Sequence, residues 1–301
     1  MLSFTKTRFH EVRVRFENHV SNTRLSAVLW EFFLFGFKQG WACLFGGMIL
    51  GLLLLTKWFW PKDAWLARYD FLFLFALAVQ VIFLLCRLET VREAKVILIF
   101  HIVGTVMELF KTTMGSWTYP ESNFFRIGHV PLFSGFMYAS VGSYLARVTR
   151  IFDMRYTRYP NTMVTVAVAV LIYANFFTHH FIPDLRILIF VMVAATFGRT
   201  WVYYRPYIAV RRMPLLVGFG LVALFIWGAE NIGTFATAWV YPAQRTVWHL
   251  VSFGKYGSWF LLMIISFILV SLVNPPRLPS AEVDAMDFGI STGDMQADQE
   301  L

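Results

Sequence analysis

The sequence has 301 residues, of which 58% are apolar and 15% charged, with 32 Phe and 11 Trp and a mean hydropathy of +0.59. That leaves too little polar surface for a soluble globule and places the chain among all-α, polytopic helical membrane proteins. The formal net charge of +8 would suit nucleic acid in a soluble protein, but here the arginines fall between apolar segments, so topology accounts for them and no nucleic-acid partner is expected.

Residues 1–26 carry Lys6, Arg8, Arg13, Arg15 and Arg24 among Phe4, Phe9, Val12, Val14 and Phe16. No uninterrupted apolar core of signal-peptide type is present, so this stretch reads as a basic lead-in on the cytoplasmic membrane face. A membrane domain follows over 27–275. A spanning helix needs about 20 mostly apolar residues, and about eight segments qualify or nearly do: 34–56, 70–86, 95–111, 131–149, 162–179, 184–203, 214–234 and 256–273. Glu31 to Gly40 has the composition of a separate interfacial turn ahead of the first span. Between the second and third spans, Arg87, Glu89, Arg92, Glu93 and Lys95 read as a solvated, salt-bridged charge run. The last segment, 276–301, is acidic, rich in small residues, and expected to be a disordered cytoplasmic tail. The two cysteines, Cys43 and Cys86, both lie in apolar runs and form no disulfide or thiol-metal pattern.

The charges between spans set the orientation. Alternate connections divide the Lys and Arg residues seventeen to eight. Lys and Arg are retained in the cytoplasm, so both termini are expected there, with an even number of spans across a bacterial inner membrane.

One stretch returns in reduced form. Glu108 is followed nine residues later by Trp117, then Thr118, Tyr119 and Pro120; Glu230 is followed nine residues later by Trp239, Val240, Tyr241 and Pro242. Thr112 and Thr234 stand four residues after each Glu, and the offset is 122 residues throughout. Two such coincidences at one offset predict a duplicated unit, and with eight spans the halves form a parallel 4+4 repeat.

Ionisable groups inside a span cost a few kcal/mol each and are candidates for function. His101, Thr105 and Glu108 lie at i, i+4 and i+7, on one helical stripe. By the topology Asn175, His179, His180, Asp184, Glu230 and Asn231 belong to the same outer side. The expected catalytic set is therefore Glu108, Glu230, His101, Tyr119 and Asp184, with Trp117, Trp239, Tyr241, Asn175 and Asn231 against the substrate. A buried carboxyl can serve as a general acid at neutral pH while a second carboxylate or imidazole holds water, a pairing that suits a lipid-soluble substrate. The alternative of a divalent metal on His179 and His180 lacks a ligand motif, and adjacent histidines diverge on a helix. Two related halves with buried carboxylates also describe a proton-coupled transporter of a small hydrophobic solute. The Trp-x-Tyr-Pro copies have a plainer reading as interfacial anchors.

The succession Phe37 to Gly47, Ala67-Arg-Tyr-Asp70, Arg87-Leu-Glu-Thr90, Gly104 to Lys111, Gly115 to Glu121, Val130 to Tyr138, Asn175 to His180 and Ala229 to Thr234 resembles the YoaT-type family of bacterial membrane proteins of unknown function. More distantly, Glu108, Gly115, Tyr119, Gly128, Val130 and Pro131 are laid out as in the carotenoid hydratases, which add water to a terminal double bond. That resemblance implies Glu108 as general acid with Tyr119 as a nearby hydroxyl. It does not extend to the His-His run or to Glu230.

Overall fold

In the computed structural model, which describes residues 24–61, 63–207 and 209–278, each of the eight apolar segments contains helix. Most of the basic lead-in and nearly all of the acidic tail lie outside the described residues. The first segment divides. Helix α1 (Arg24–Ala42) and α2 (Leu44–Phe59) meet at Cys43 with a bend of 72°. Leu25, Leu29, Phe32 and Phe33 make an exposed apolar stripe on α1, as expected of a helix lying along an interface. Then come α3 (Arg68–Leu85), α4 (Val91–Thr113), the hairpin β1 (Arg126–Ile127) and β2 (Val130–Pro131), and α5 (Phe133–Ile151). After β3 (Arg155–Thr157) the chain forms α6 (Thr162–Thr178), α7 (Arg186–Phe197), β4 (Trp201–Tyr204), β5 (Arg211–Pro214), α8 (Leu215–Phe235) and α9 (Tyr256–Val273).

The fold is mostly helical and membrane-spanning, with a smaller number of full-length spans than the eight expected. Among the described residues, α3, α4, α8 and the stretch Phe253–Val273 are long and apolar enough to cross, and the bent α1–α2 pair makes a fifth if it counts as one span. Helices α6 and α7 are apolar but short, and α5 carries Arg147 and Arg150 in its last turns. The all-helical expectation also needs amending. Strands β3, β4 and β5 form an antiparallel sheet in that order, pairing Arg155 with Tyr203 and Tyr203 with Arg212. A hydropathy reading passes over this sheet because its strands are short and lie among arginines. It gathers the basic connections at one end, and α1 is tied to it by Glu31–Arg211 contacts at 2.9 and 2.6 Å.

The charge run at the start of α4 divides: Arg87, Arg92 and Lys95 are exposed, whereas Glu89 and Glu93 are buried. Glu93 completes a capping box with Thr90. Glu89, 3% exposed, accepts from Gln80 and from Ser143 Oγ at 2.5 Å. Hydrophobicity windows miss this because the partners lie on two other helices.

Helices α4 and α5 pack most closely. Small residues permit it: a Cβ on Gly104 would fall 2.7 Å from the Tyr138 ring, and one on Gly135 would fall 2.4 Å from the His101 imidazole. At the end opposite the sheet, Arg68 is the tie. Its guanidinium donates to Thr56 Oγ1 at 3.0 Å, Leu53 O at 3.2 Å, Ala236 O at 2.8 Å and Glu121 Oε1 at 2.6 Å. Tyr69 donates to Ala238 O at 3.0 Å, and Asp70 accepts from the Phe124 and Phe125 backbone N–H groups. The substitution Arg68→Ala would strand these acceptors. A loss of about 3 kcal/mol is expected, read as a lower thermal unfolding midpoint of the detergent-purified protein, while the exposed Arg126→Ala should leave that midpoint unchanged.

Candidate functional site: two carboxylates on one cavity

The duplicated stretch is duplicated in structure as well. Helix α4 ends with Gly115 at φ +68°, and α8 ends 122 residues later with Thr237 at φ +54°. In the first copy Ser116 N donates to Lys111 O at 2.9 Å and Gly115 N to Thr112 O at 3.1 Å. In the second, Ala238 N donates to Gly233 O and Thr237 N to Thr234 O, both at 3.0 Å. These are two copies of one Schellman cap, which satisfies the last helical carbonyls and turns the chain sharply. The turn sends each Trp-x-Tyr segment back beneath its own Glu. The two segments then meet: Thr118 N donates to Val240 O at 3.0 Å and Val240 N to Thr118 O at 2.9 Å. Equivalent residues thus pair with each other, the pattern a local two-fold axis produces.

Each carboxylate is held by neutral donors. Glu108, 3% exposed, accepts from Trp117 Nε1 at 2.7 Å, Tyr119 OH at 2.8 Å and Tyr138 OH at 2.7 Å. Glu230, also 3% exposed, accepts from Tyr241 OH and from Trp259 Nε1 at 2.5 Å. The copies differ in their tryptophans. Trp239 packs on Gly233, where a Cβ would fall 2.1 Å from its ring, so Trp259 of α9 supplies the indole donor. Trp117 and Tyr241 join the copies edge to face, with centroids 6.0 Å apart. Tyr119 and Tyr241 lie in the turns; burial foremost, and then the adjacent carboxylate, push both phenols well above their ordinary range. They therefore remain O–H donors at any working pH.

Both carboxylates face a cavity of about 450 Å³ lined also by Trp117, Trp239, Tyr241, Asn175 and His179. Much of its remaining wall is apolar, from Ile49, Leu50, Met107, Ile172, Ile226 and Leu262. Other expected site residues take different places. His101 shares the helical stripe of Glu108 but turns onto α5, with its ring against Gly135 and Phe136. Tyr119 reaches Glu108 without lining the cavity. Asn231 braces a loop, donating to Trp227 O and accepting from Val251 N, both at 2.8 Å. Asp184 accepts from Asn175 Nδ2 at 3.0 Å and pairs with Arg186 at 3.0 Å, which fixes the connection between α6 and α7.

His179 and His180 do not diverge as adjacent residues on a helix would, because α6 ends at Thr178; their rings lie 4.2 Å apart and turn toward one point, which the Lys111 ammonium occupies. Their Nε2 atoms lie 3.3 and 2.9 Å from Lys111 Nζ. Among the described residues no group of three or more His, Cys, Asp and Glu side chains converges as a metal site. Burial, the Lys111 ammonium and His179 all push the His180 imidazole below its ordinary value, toward the neutral form.

The sequence reading missed Tyr138 and Trp259, which have no motif at the 122-residue offset, and it missed Lys111, Arg186 and Lys255, which line the cavity but were spent on the charge balance of the loops.

A family model described as "Protein of unknown function (DUF817)" matches residues 31–267. The chain belongs to the DUF817 family. It is 43% identical to the uncharacterized protein YoaT of Bacillus subtilis (strain 168) over 257 residues, which are 85% of this chain and 97% of that protein. Among solved structures, a mycobacterial Insig homolog, MvINS from Mycobacterium vanbaalenii, aligns with a TM-score of 0.45 and 11% identity over 63% of this chain and 98% of that one.

The connection after α6 generates a pH test. Burial alone would raise the Asp184 carboxyl, but the Asn175 amide, the Arg186 backbone N–H and the Arg186 guanidinium together hold it below the usual carboxylate range. Its contribution is present above the unfolded value of about 4 and is lost as pH falls through the lowered folded value. Hydrogen exchange over residues 179–185 should stay slow from neutral pH down past that point and quicken only in stronger acid. In Asp184→Asn it should be fast already at neutral pH.

Proposed function

We propose that this DUF817 protein is an intramembrane enzyme that carries out acid-base chemistry on a lipid-soluble substrate, with Glu108 and Glu230 as the reacting pair. The observation that carries the proposal is the sharing of one largely apolar cavity by two buried carboxylates that neutral hydroxyl and indole groups hold. Neither carboxylate forms an ion pair among the described residues, so no ammonium or guanidinium in contact fixes its charge. An acid and a base facing one apolar space suit addition of water to a carbon-carbon double bond, as the distant resemblance to carotenoid hydratases implies. Glu108 gives its proton to one alkene carbon, water adds to the other, and Glu230 takes the proton that the water sheds. A positioned acid or base contributes about 10²–10⁴ in rate.

The setting of this chemistry belongs to the same proposal. Two related four-span halves lie in a bacterial inner membrane, the arginine-rich sheet and both termini in the cytoplasm, and the cavity toward the outer face. A second reading, a proton-coupled transporter, draws on a different observation. His101 Nδ1 and Thr105 Oγ1, on the helix that carries Glu108, are buried without hydrogen-bond partners among the described residues. Buried polar atoms in a spanning helix are what a proton path requires.

Lipid extracts separate the two. A strain lacking the protein should accumulate an unmodified precursor, and complementation with Glu108→Gln or Glu230→Gln should leave it accumulated, with turnover down by at least about 10²-fold. Lipid profiles identical among null, variant and wild-type strains, together with solute efflux that tracks the proton gradient, would replace the enzyme by the transporter.

A further inference from the structure

The carboxylates are not the only charges facing the cavity. Lys111, Arg186 and Lys255 line it too. Lys111 is 4% exposed, yet among the described residues its ammonium touches no carboxylate: it meets the two imidazoles and the Phe176 ring, 4.2 Å from the centroid. The Lys255 ammonium has no hydrogen bond or ion pair among the described residues. Its ammonium stands over Tyr241 at 4.5 Å and Trp117 at 5.9 Å, beside the ring contact that joins the two copies. Among the described residues Arg186 has a single ion pair, with Asp184, and a guanidinium has five N–H donors to offer.

Three cations therefore gather at this cavity: Arg186 has Asp184 for a partner, Lys255 is attracted by the Glu230 carboxylate without touching it, and Lys111 stands beside imidazoles and a ring. Charge in a low-dielectric site is costly without a counter-charge, and the cations outnumber the carboxylates whenever Glu108 or Glu230 takes up the proton that acid catalysis requires. An anionic ligand supplies the balancing charge. The apolar wall of Ile49, Leu50, Met107, Ile226 and Leu262 has no use for a small hydrated ion but accommodates a hydrocarbon chain.

We infer that the cavity takes an anionic amphiphile, its phosphate or carboxylate headgroup gripped by Lys111, Lys255 and Arg186 and its chain laid along the apolar wall. This rests on the proposed function in using the same cavity and names its substrate class.

The test is a competition for the full-length protein in nanodiscs, loaded with equimolar hexadecyl phosphate and hexadecanol and read by native mass spectrometry. Wild type should retain the phosphate over the alcohol by at least about tenfold, the ratio one charge-assisted contact supplies. Lys111→Met with Lys255→Met should bring that ratio to near one with hexadecanol binding unchanged, a control that also reports an intact cavity. Lys255→Arg should keep the preference. Glu108→Gln, inactive on the reading above, should keep it as well, so a failed headgroup site and a failed acid-base pair give different results. Equal retention of both amphiphiles by wild type overturns the inference. So does an unchanged preference in the double variant, or displacement of hexadecyl phosphate by equimolar inorganic phosphate, which would mark a free-anion site.

Discussion

A carboxylate placed at the end of a membrane helix has no water to satisfy it, so the protein must bring hydrogen-bond donors to it. Much of this architecture follows from that need. The Schellman cap after Glu108 and its copy after Glu230 reverse the chain, which lets Trp117 and Tyr119 return to the first carboxylate and Tyr241 to the second. The reversed segments leave their own backbone groups to be paired, and Thr118 and Val240 pair them with each other. One solution to two local problems thus brings the carboxylates onto a single cavity.

The rest of the bundle supports that junction. Arg68, Tyr69 and Asp70 begin α3 with their side chains directed into the ends of the other elements: Arg68 and Tyr69 into the α8 turn, Asp70 into the loop before β1. The close approach of α4 and α5 at Gly104 puts Tyr138 where it completes the donors of Glu108. Across the molecule, the arginine-rich sheet ties the basic connections into one layer. The Glu108–Glu230 junction and this basic layer lie at opposite ends of the bundle.

The pair of carboxylates was legible because repetition needs no knowledge of packing: Glu, Trp, Tyr and Pro recur at one offset, and ionisable residues in apolar runs stand out. What surrounds them was less so. His101 has the right helical phase for Glu108, but a stripe is wide enough for its members to face different neighbours, and the gap at Gly135 drew the imidazole to α5. Trp239 fits the repeat by sequence and yet gives its role as donor to Trp259, since packing on Gly233 is set by three-dimensional space and not by offset. Lysine and arginine carry two meanings in a membrane sequence, orientation and ligand binding, and Lys111, Arg186 and Lys255 were read only for the first. Apolar composition likewise marks what lies in or near the hydrocarbon without fixing helix length, so the bend at Cys43 and the shortness of α6 and α7 are not legible in it.

The central claim is that the two copies meet as a reciprocal pair across one cavity. It is tested most directly by cysteine cross-linking in native membranes, with Thr118→Cys and Val240→Cys introduced after Cys43 and Cys86 are changed to Ser. The account predicts an intramolecular disulfide between positions 118 and 240, recovered as a linked peptide by mass spectrometry, with Thr113→Cys in place of Thr118→Cys giving none. Failure of the 118–240 pair to link under oxidation, in protein that remains folded in the membrane, would contradict it.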